Sequence, residues 1–162
     1  MPLYESDADT VKSEIATFFE AFPQGTVWAN ELNGGGYDLF LLGQVEAMRI
    51  NLDRLEARLA RPDHARVVAS LRQVGFHSLP DLLSVYAGQA AELRPWLAGA
   101  QINRDGNLRL QYLAGLALNY SQENSIYNEI GSYRRFPSNL FAGSSEAELD
   151  ALFAAMAAGQ HR

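Results

Sequence analysis

The chain contains no cysteine, which excludes disulfides, thiolate catalysis and thiolate metal sites. Its three histidines, His64, His77 and His161, are isolated from one another and lack the spacing of metal ligands. No apolar run approaches the roughly 20 residues of a transmembrane helix, and Met1 is followed by proline and acidic residues rather than a basic, apolar leader. These absences predict a cytoplasmic domain with no metal site and no direct membrane insertion.

Negative charge is concentrated in the first third of the chain. Residues 1–49 carry eight acidic side chains against Lys12 and Arg49, whereas residues 50–162 carry eleven acidic side chains and eleven arginines. The formal net charge of −6 therefore belongs entirely to the first segment. Such a segment either attracts a small cation or presents a solvated acidic helix face beside a partner segment. Because the chain has no basic patch, nucleic-acid binding is not expected.

Residues 1–48 have the pattern of one amphipathic helix followed by a β-hairpin. Asp7 or Asp9 can cap the helix. Apolar residues at helical spacing predict a buried stripe formed by Val11, Ile15, Phe18, Phe19 and Phe22. The residues predicted to face water are Lys12, Ser13, Glu14 and Glu20. The residues Pro23-Gln24-Gly25 are predicted to end the helix.

Two predicted strands follow this helix. They are Thr26–Asn30 and Tyr37–Leu42, and the nearly continuous apolar run of the second predicts a strand covered on both faces. Glu31–Gly36 is the predicted hairpin connection, with glycines that supply positive φ. It has neither the lysine of a P-loop nor a following helix, so a phosphate loop is not predicted.

Residues 49–162 have a helical pattern throughout. Capping residues are predicted at Asn51 and in the capping-box sequence Ser78–Asp81, which leads into a helix carrying Tyr86. Leu108–Leu118 is predicted as a central helix, and Ser144 or Ser145 as the start of the last helix. No internal period recurs, which favours one helical extension over a repeat array.

Three segments resemble spermidine synthase-related proteins. They are Pro2–Ser6 with Val11–Pro23 and Gly25–Trp28, then Ile102–Tyr112, then Tyr133–Pro137. The closer resemblance is to the bacterial branch in which a synthase-like domain is often fused behind a membrane region. The resemblance covers essentially the whole chain but only the C-terminal portion of the family's proteins. It implies an α+β fold in which residues 1–48 complete the end of a Rossmann-like, class I methyltransferase-like sheet and residues 49–162 form an all-helical extension.

The resemblance implies polyamine chemistry. The family transfers an aminopropyl group from decarboxylated S-adenosylmethionine to a diamine such as putrescine. Its donor-binding glycine loop and catalytic aspartates precede the segment resembled here. The resemblance therefore implies no catalytic residue and no cofactor site in this chain, and it implies a missing N-terminal synthase-like half as the partner. The parent protein would be membrane-associated, with this chain in its soluble part.

The residues with the chemistry of an amine site are Tyr4, Glu5, Trp28, Glu31 and Tyr37. Ligands of open α/β sheets bind at the carboxyl ends of the strands, and the resemblance places Tyr4 and Glu5 after the fifth strand and the turn at Glu31 after the sixth. Carboxylates pair with ammonium groups, and aromatic faces suit a methylene chain and a cation. The structural alternative is sheet packing for Trp28 and Tyr37, and solvent exposure for Glu5 and Glu31.

The connection Glu31–Gly36 departs from the family's pattern. Family members that make spermidine have a Tyr-Pro-x-Gly turn near the amine, and this chain has neither that tyrosine nor that proline. The identity of the amine is therefore left open.

Two polar clusters in the helical extension allow two interpretations each. Asn103–Asn107 fits an Asx turn that caps the next helix, or a polar binding turn. Arg134-Arg135 fits compensation of a helix dipole, or an anion or partner site. The competing hypothesis for the whole chain is a non-enzymatic module whose helices mediate interaction, including dimerisation with another copy. A free-standing enzyme is not supported, because the sequence shows no catalytic nucleophile, no pair of acid–base residues and no set of metal ligands.

Overall fold

A computed structural model describes residues 1–32, 35–114, 121–143 and 145–158, which form an α+β fold. The α-helices are α1 (Ala8–Ala21), α2 (Leu52–Leu59), α3 (Ala65–Gln73), α4 (Leu79–Leu83), α5 (Ala90–Leu93), α6 (Arg109–Ala114), α7 (Glu123–Tyr133) and α8 (Glu146–Ala158), with a 3-10 turn at Pro62–His64. The strands are β1 (Thr26–Leu32), β2 (Gly35–Leu42), β3 (Ile50–Asn51), β4 (Tyr86–Gln89) and β5 (Phe141–Ala142). In this part of the chain, none of the helices has the length and apolar character needed to cross a bilayer.

The first helix forms where its capping residue and apolar spacing predict it. The Asp7 carboxylate accepts a hydrogen bond from Thr10 N at 2.7 Å, which satisfies one free N–H of the first turn. The predicted stripe is wrong at its end, because Phe22 lies beyond the last turn and is exposed. The water-facing prediction is wrong for Ser13, which is buried because its hydroxyl donates to Gln101 O at 2.5 Å.

The larger sheet has the strand order β2-β1-β4, and both of its strand pairs are antiparallel. The prediction of an all-helical extension is wrong at β4. Tyr86 was predicted to lie in a helix, but it belongs to this strand and pairs with Trp28 of β1. β4 supplies backbone partners to the edge of β1 that the hairpin leaves unpaired. This pairing spans more than fifty residues of sequence, so the local helical pattern around Tyr86 does not reveal it.

Strand β2 is not covered on both faces, contrary to its apolar pattern. Leu39 is fully buried in the core, whereas Phe40 and Leu42 are 53% and 46% exposed. The register pairs Phe40 with Trp28 across the sheet, which places their side chains on the same face. We call the surface formed by Phe40 and Leu42 the exposed sheet face.

The hairpin glycines permit close packing, and positive φ is not their role at the described positions. The strands extend to Leu32 and begin again at Gly35, so the predicted connection Glu31–Gly36 is too long; Asn33 and Gly34 lie outside the described residues. Gly35 and Gly36 do not have positive φ. A Cβ at Gly36 would instead lie 2.7 Å from the carbonyl oxygen of Glu123 in α7.

The chain divides into two compact units. The first contains Met1–Ala47 and the described residues of Tyr86–Arg135, and the second contains Met48–Val85 and the described residues after Arg135. The core of the first unit consists of Leu3, Val11, Ile15, Phe19, Val27, Ala29, Leu39, Ala87, Leu93, Trp96, Ile126 and Ile130. In the second unit, α4 packs against α8, and β3 pairs in parallel with β5. The all-helical prediction is therefore also wrong at these two short strands.

Several predicted helix ends are confirmed. Asn51 Oδ1 accepts from Arg54 N at 2.8 Å, and Ser78 with Asp81 forms the expected capping box. Ser145 Oγ accepts from Glu148 N at 3.2 Å, while Ser144 lies outside the described residues. The predicted central helix Leu108–Leu118 is described only as α6, and positions 115–118 lie outside the described part of the chain.

Candidate functional site

The outer edge of β2 is occupied by the first residues of the chain. Met1 and Leu39 exchange two backbone hydrogen bonds, at 2.9 and 2.8 Å, and Leu3 N donates to Tyr37 O at 2.8 Å. Pro2 lies opposite Asp38 in an antiparallel bridge. The fully buried Leu3 side chain fixes this segment to the core. Tyr4 therefore emerges at a defined point on the sheet edge.

A β-bulge brings Tyr37 to the same point. Asn30 pairs with Asp38 and Glu31 with Gly36, which leaves Tyr37 as an extra residue on β2. Such bulges redirect a side chain relative to the regular strand pattern. The rings of Tyr37 and Tyr4 stack with centroids 5.1 Å apart and planes inclined by 24°. They remain 36% and 48% exposed, so the pair is accessible from solvent.

Two carboxylates lie close to the stacked tyrosines. The pKa of the Tyr4 phenol is raised above its ordinary value, first by the charge of Glu5, then by Tyr37, with Asp38 adding a smaller effect. In the described residues, neither Glu5 nor Asp38 takes part in an ion pair. We call Tyr4, Glu5, Tyr37 and Asp38 the tyrosine–carboxylate site. Its exposed aromatic faces and negative charge suit an organic cation.

Trp28 is separate from this site. It is buried, its Nε1 donates to Thr26 Oγ1 at 2.8 Å, and its ring meets Tyr86 edge-on at 5.6 Å between centroids. These are the contacts of a residue packed against the sheet, which is the structural alternative given above for Trp28.

Glu31 contacts α7. Its Oε2 accepts a hydrogen bond from the Tyr127 hydroxyl at 3.3 Å, so it is a half-buried strand residue and not part of an exposed turn. The pKa of Tyr127 is raised first by burial and then by the charge of Glu31. The structure thus brings three of the five predicted residues together, namely Tyr4, Glu5 and Tyr37. Their binding role stays a prediction.

The sequence interpretation missed Tyr127 and Asp38, and it did not predict the burial of Arg134. Arg134 is buried, its Nη1 donates to Tyr86 O at 3.4 Å, and burial lowers its pKa. Arg135 fits the helix-end interpretation of this pair, since its Nη1 donates to the carbonyl oxygens of Ser132 and Arg134. The only available signal for Asp38 was its place beside Tyr37 in an otherwise apolar strand.

The Asx-turn interpretation of Asn103–Asn107 is supported. Asn107 Oδ1 accepts from Arg104 N and Arg109 N, at 2.9 and 3.2 Å, and Asn103 Oδ1 accepts from Leu110 N at 2.9 Å. The bonds from Arg109 N and Leu110 N satisfy free N–H groups at the start of α6. The side chains of both asparagines are therefore engaged by the local backbone.

In the described part of the chain, no cluster of three or more histidine, aspartate or glutamate side chains is placed to hold a metal ion. Comparison with protein-family models, with curated proteins and with solved structures finds no match for the chain.

Proposed function

We propose that this chain is the C-terminal part of a spermidine synthase-like aminopropyltransferase, that it completes and covers the Rossmann-like catalytic sheet, and that it is not catalytic alone. The arrangement of the sheet edge supports this proposal. Residues 1–3 lie antiparallel to β2, where the resemblance puts the end of the fifth strand. Helix α1 then leads into β1, the counterpart of the sixth strand.

The tyrosine–carboxylate site is the observation that carries the functional part of the proposal. A diamine has two ammonium groups joined by a methylene chain, and it binds best where carboxylates pair with the charges and aromatic faces cover the chain. Tyr4 and Tyr37 supply the stacked faces, while Glu5 and Asp38 supply the carboxylates. We assign this site to the amine substrate, with the donor bound by a synthase-like half that supplies the glycine loop and the aspartates.

The amine assignment is tested by calorimetric titration of the chain with putrescine. Saturable binding is expected, with Tyr37→Leu and Glu5→Gln each lowering the affinity about fivefold or more, because each removes an aromatic face or a charge-assisted contact. Glu46→Gln and Tyr112→Leu alter exposed residues elsewhere and should leave the affinity unchanged. Equal losses in all four variants, or no binding by the wild type, would overturn the assignment.

A pKa measurement tests the geometry of the site without any ligand. Glu5 is the first cause of the raised Tyr4 pKa, so Glu5→Gln should lower that pKa towards its ordinary value. Asp38→Asn should lower it less, and Glu46→Gln should leave it unchanged. NMR titration of tyrosine labelled at the ring carbons measures each value, and an unchanged Tyr4 pKa in the Glu5 variant would contradict the described site.

Donor binding tests the claim that the chain completes a larger sheet. The chain alone is expected to show no calorimetric binding of decarboxylated S-adenosylmethionine. Mixing it with the donor-binding half of a synthase-like protein should restore binding. Micromolar binding of decarboxylated S-adenosylmethionine to the chain alone would overturn the proposal that the synthase-like half binds the donor.

The exposed sheet face favours a second candidate function, a non-enzymatic interaction module that dimerises. Phe40 and Leu42 are apolar side chains that solvent contacts on one face of the sheet. If a second copy covers them, sedimentation velocity should detect a concentration-dependent dimer. A monomer at all concentrations would exclude this candidate.

A further inference from the structure

A polar cavity of about 170 Å³ lies in the first unit, and its lining includes no residue of the tyrosine–carboxylate site. Helix α1, the turn at residues 98–101 and helix α6 border it. Its polar lining includes Asp9, Lys12, Ser13, Gln101 and Arg109. We call it the α1–α6 cavity. A water molecule occupies about 30 Å³ of liquid, so the cavity has room for a small polyatomic ion.

The cavity is held in a defined shape by its own hydrogen bonds. The buried Ser13 hydroxyl donates to Gln101 O, which joins α1 to the turn. Asn107 Oδ1 accepts from Arg109 N and fixes the start of α6, the helix that carries the lining residue Arg109. Any ligand of this cavity would therefore meet a largely preformed site.

Arg109 contributes a guanidinium group with an unsatisfied buried atom. Among the residues that the structure describes, its Nε is inaccessible to solvent and has no hydrogen-bond partner, and none of the ion pairs includes this side chain. Buried polar groups almost always have partners, because an unpaired one loses its hydrogen bonds to water and gains none in return. This donor is therefore available to an acceptor that the described part of the chain does not provide.

Lys12 contributes the second positive charge, and it is the only lysine in the sequence. Its Nζ lies 5.1 Å from the ring centroid of Trp96, whose Nε1 is in turn fixed by Glu129 Oε2 at 2.8 Å. The ammonium group is therefore positioned over an aromatic face and not paired with a carboxylate in the described residues. Asp9 is the only acidic residue of the lining, and it is exposed.

We propose that the α1–α6 cavity binds a phosphate group between the Lys12 ammonium and the Arg109 guanidinium. A planar guanidinium offers paired donors that match phosphate oxygens, and an ammonium group adds a compact charge. Two cations against one exposed carboxylate make this cavity locally positive in a chain whose net charge is −6. The phosphate comes either as the free ion or as the phosphate group of a small ester.

The test is calorimetric titration of the full chain at constant ionic strength, with inorganic phosphate in one arm and glycerol phosphate in the other. Saturable binding is expected in at least one arm, and the tighter arm identifies the source. Arg109→Gln and Lys12→Gln should each weaken it roughly tenfold, as expected for loss of a charged hydrogen bond. Asp9→Asn should tighten binding, because it removes a repulsive charge from the rim.

Arg104→Gln is the matched control, since Arg104 lies in the same loop region but is exposed and paired with Glu20 at 2.7 Å. The affinity of this variant for phosphate should equal that of the wild type. Because Lys12 is the only lysine, lysine-selective labelling gives one side-chain NMR signal, which phosphate should shift in the wild type and in Arg104→Gln. A static Lys12 signal, an absence of saturable binding, or an equal loss in Arg104→Gln would each overturn the proposal. Arg109→Lys keeps the charge and should retain part of the affinity, which separates a folding defect from loss of the binding group.

Discussion

Tyr86 shows how one buried hydroxyl affects stability at the scale of the residue. The side chain is fully buried, and its hydroxyl donates to Glu92 Oε2 at 2.7 Å. Tyr86→Phe should lower the free energy of unfolding by about 1–2 kcal/mol, because it removes a hydrogen bond to a charged group. Urea denaturation measures the loss. Tyr112→Phe is the control, since Tyr112 is exposed and should change stability by less than about 0.5 kcal/mol. Equal effects would contradict the described contact.

The buried Tyr86 phenol should make the folded protein less stable at alkaline pH. Burial is the first cause that raises the pKa of Tyr86, followed by its contact with Glu92, and burial also raises the pKa of Tyr127. An unfolded tyrosine loses its proton near pH 10, while these folded residues keep theirs. Unfolding then releases protons, so the free energy of unfolding should fall as pH rises above about 10. Denaturation between pH 8 and 11 should give a shallower fall for Tyr86→Phe than for the wild type; identical slopes would exclude this contribution.

Helix α7 can contact strand β2 closely because Gly36 has no side chain. A Cβ at Gly36 would lie 2.5 Å from Tyr127 Cβ and 2.7 Å from Glu123 O, two atoms that cannot move without shifting the helix. Gly36→Ala should therefore lower the free energy of unfolding by about 1–3 kcal/mol. Gly131→Ala is the matched control within α7, where a Cβ would meet no atom within 4 Å. It should raise stability by about 0.5–1 kcal/mol, because alanine favours the helix. Thermal and urea denaturation would contradict this account if both variants changed stability in the same direction.

Elements defined by local chemistry were predictable from the sequence. Asp7, Asn51 and Ser78 each cap a helix through a bond spanning three residues, and such short-range signals do not depend on the rest of the fold. Strand β4 was not predictable in this way. Its identity comes from pairing with Thr26–Trp28, and the residues around Tyr86 satisfy a helical pattern equally well.

The candidate site was predictable in its chemistry but not in its geometry. Tyr4, Glu5 and Tyr37 have the residue types that an amine site needs, and they come together because a bulge leaves Tyr37 without a register partner on β1. A one-residue register shift has no signature in a single sequence. Glu31 has a suitable carboxylate, but its direction is set by Tyr127, almost a hundred residues away in the chain.

At the scale of the whole molecule, the first unit has a sheet with unequal faces. One face packs into the core through Leu39, while Phe40 and Leu42 leave apolar surface in contact with water. Burying such surface releases roughly 25 cal/mol for each square ångström, which gives a partner a source of binding free energy. If a synthase-like half is that partner, this face belongs to the interface between the two.

Replacing the exposed sheet face tests this association directly. The double variant Phe40→Gln with Leu42→Gln should raise the Kd for a donor-binding synthase-like half by about tenfold or more, because central apolar side chains dominate interface energies. Isothermal titration measures this change, and urea denaturation should show the isolated variant as stable as the wild type, since both side chains are exposed. Val67→Gln replaces an exposed apolar residue of α3 in the second unit and should leave the Kd unchanged. If the double variant binds the synthase-like half as tightly as the wild type, the exposed sheet face is not the surface through which this chain completes a larger protein.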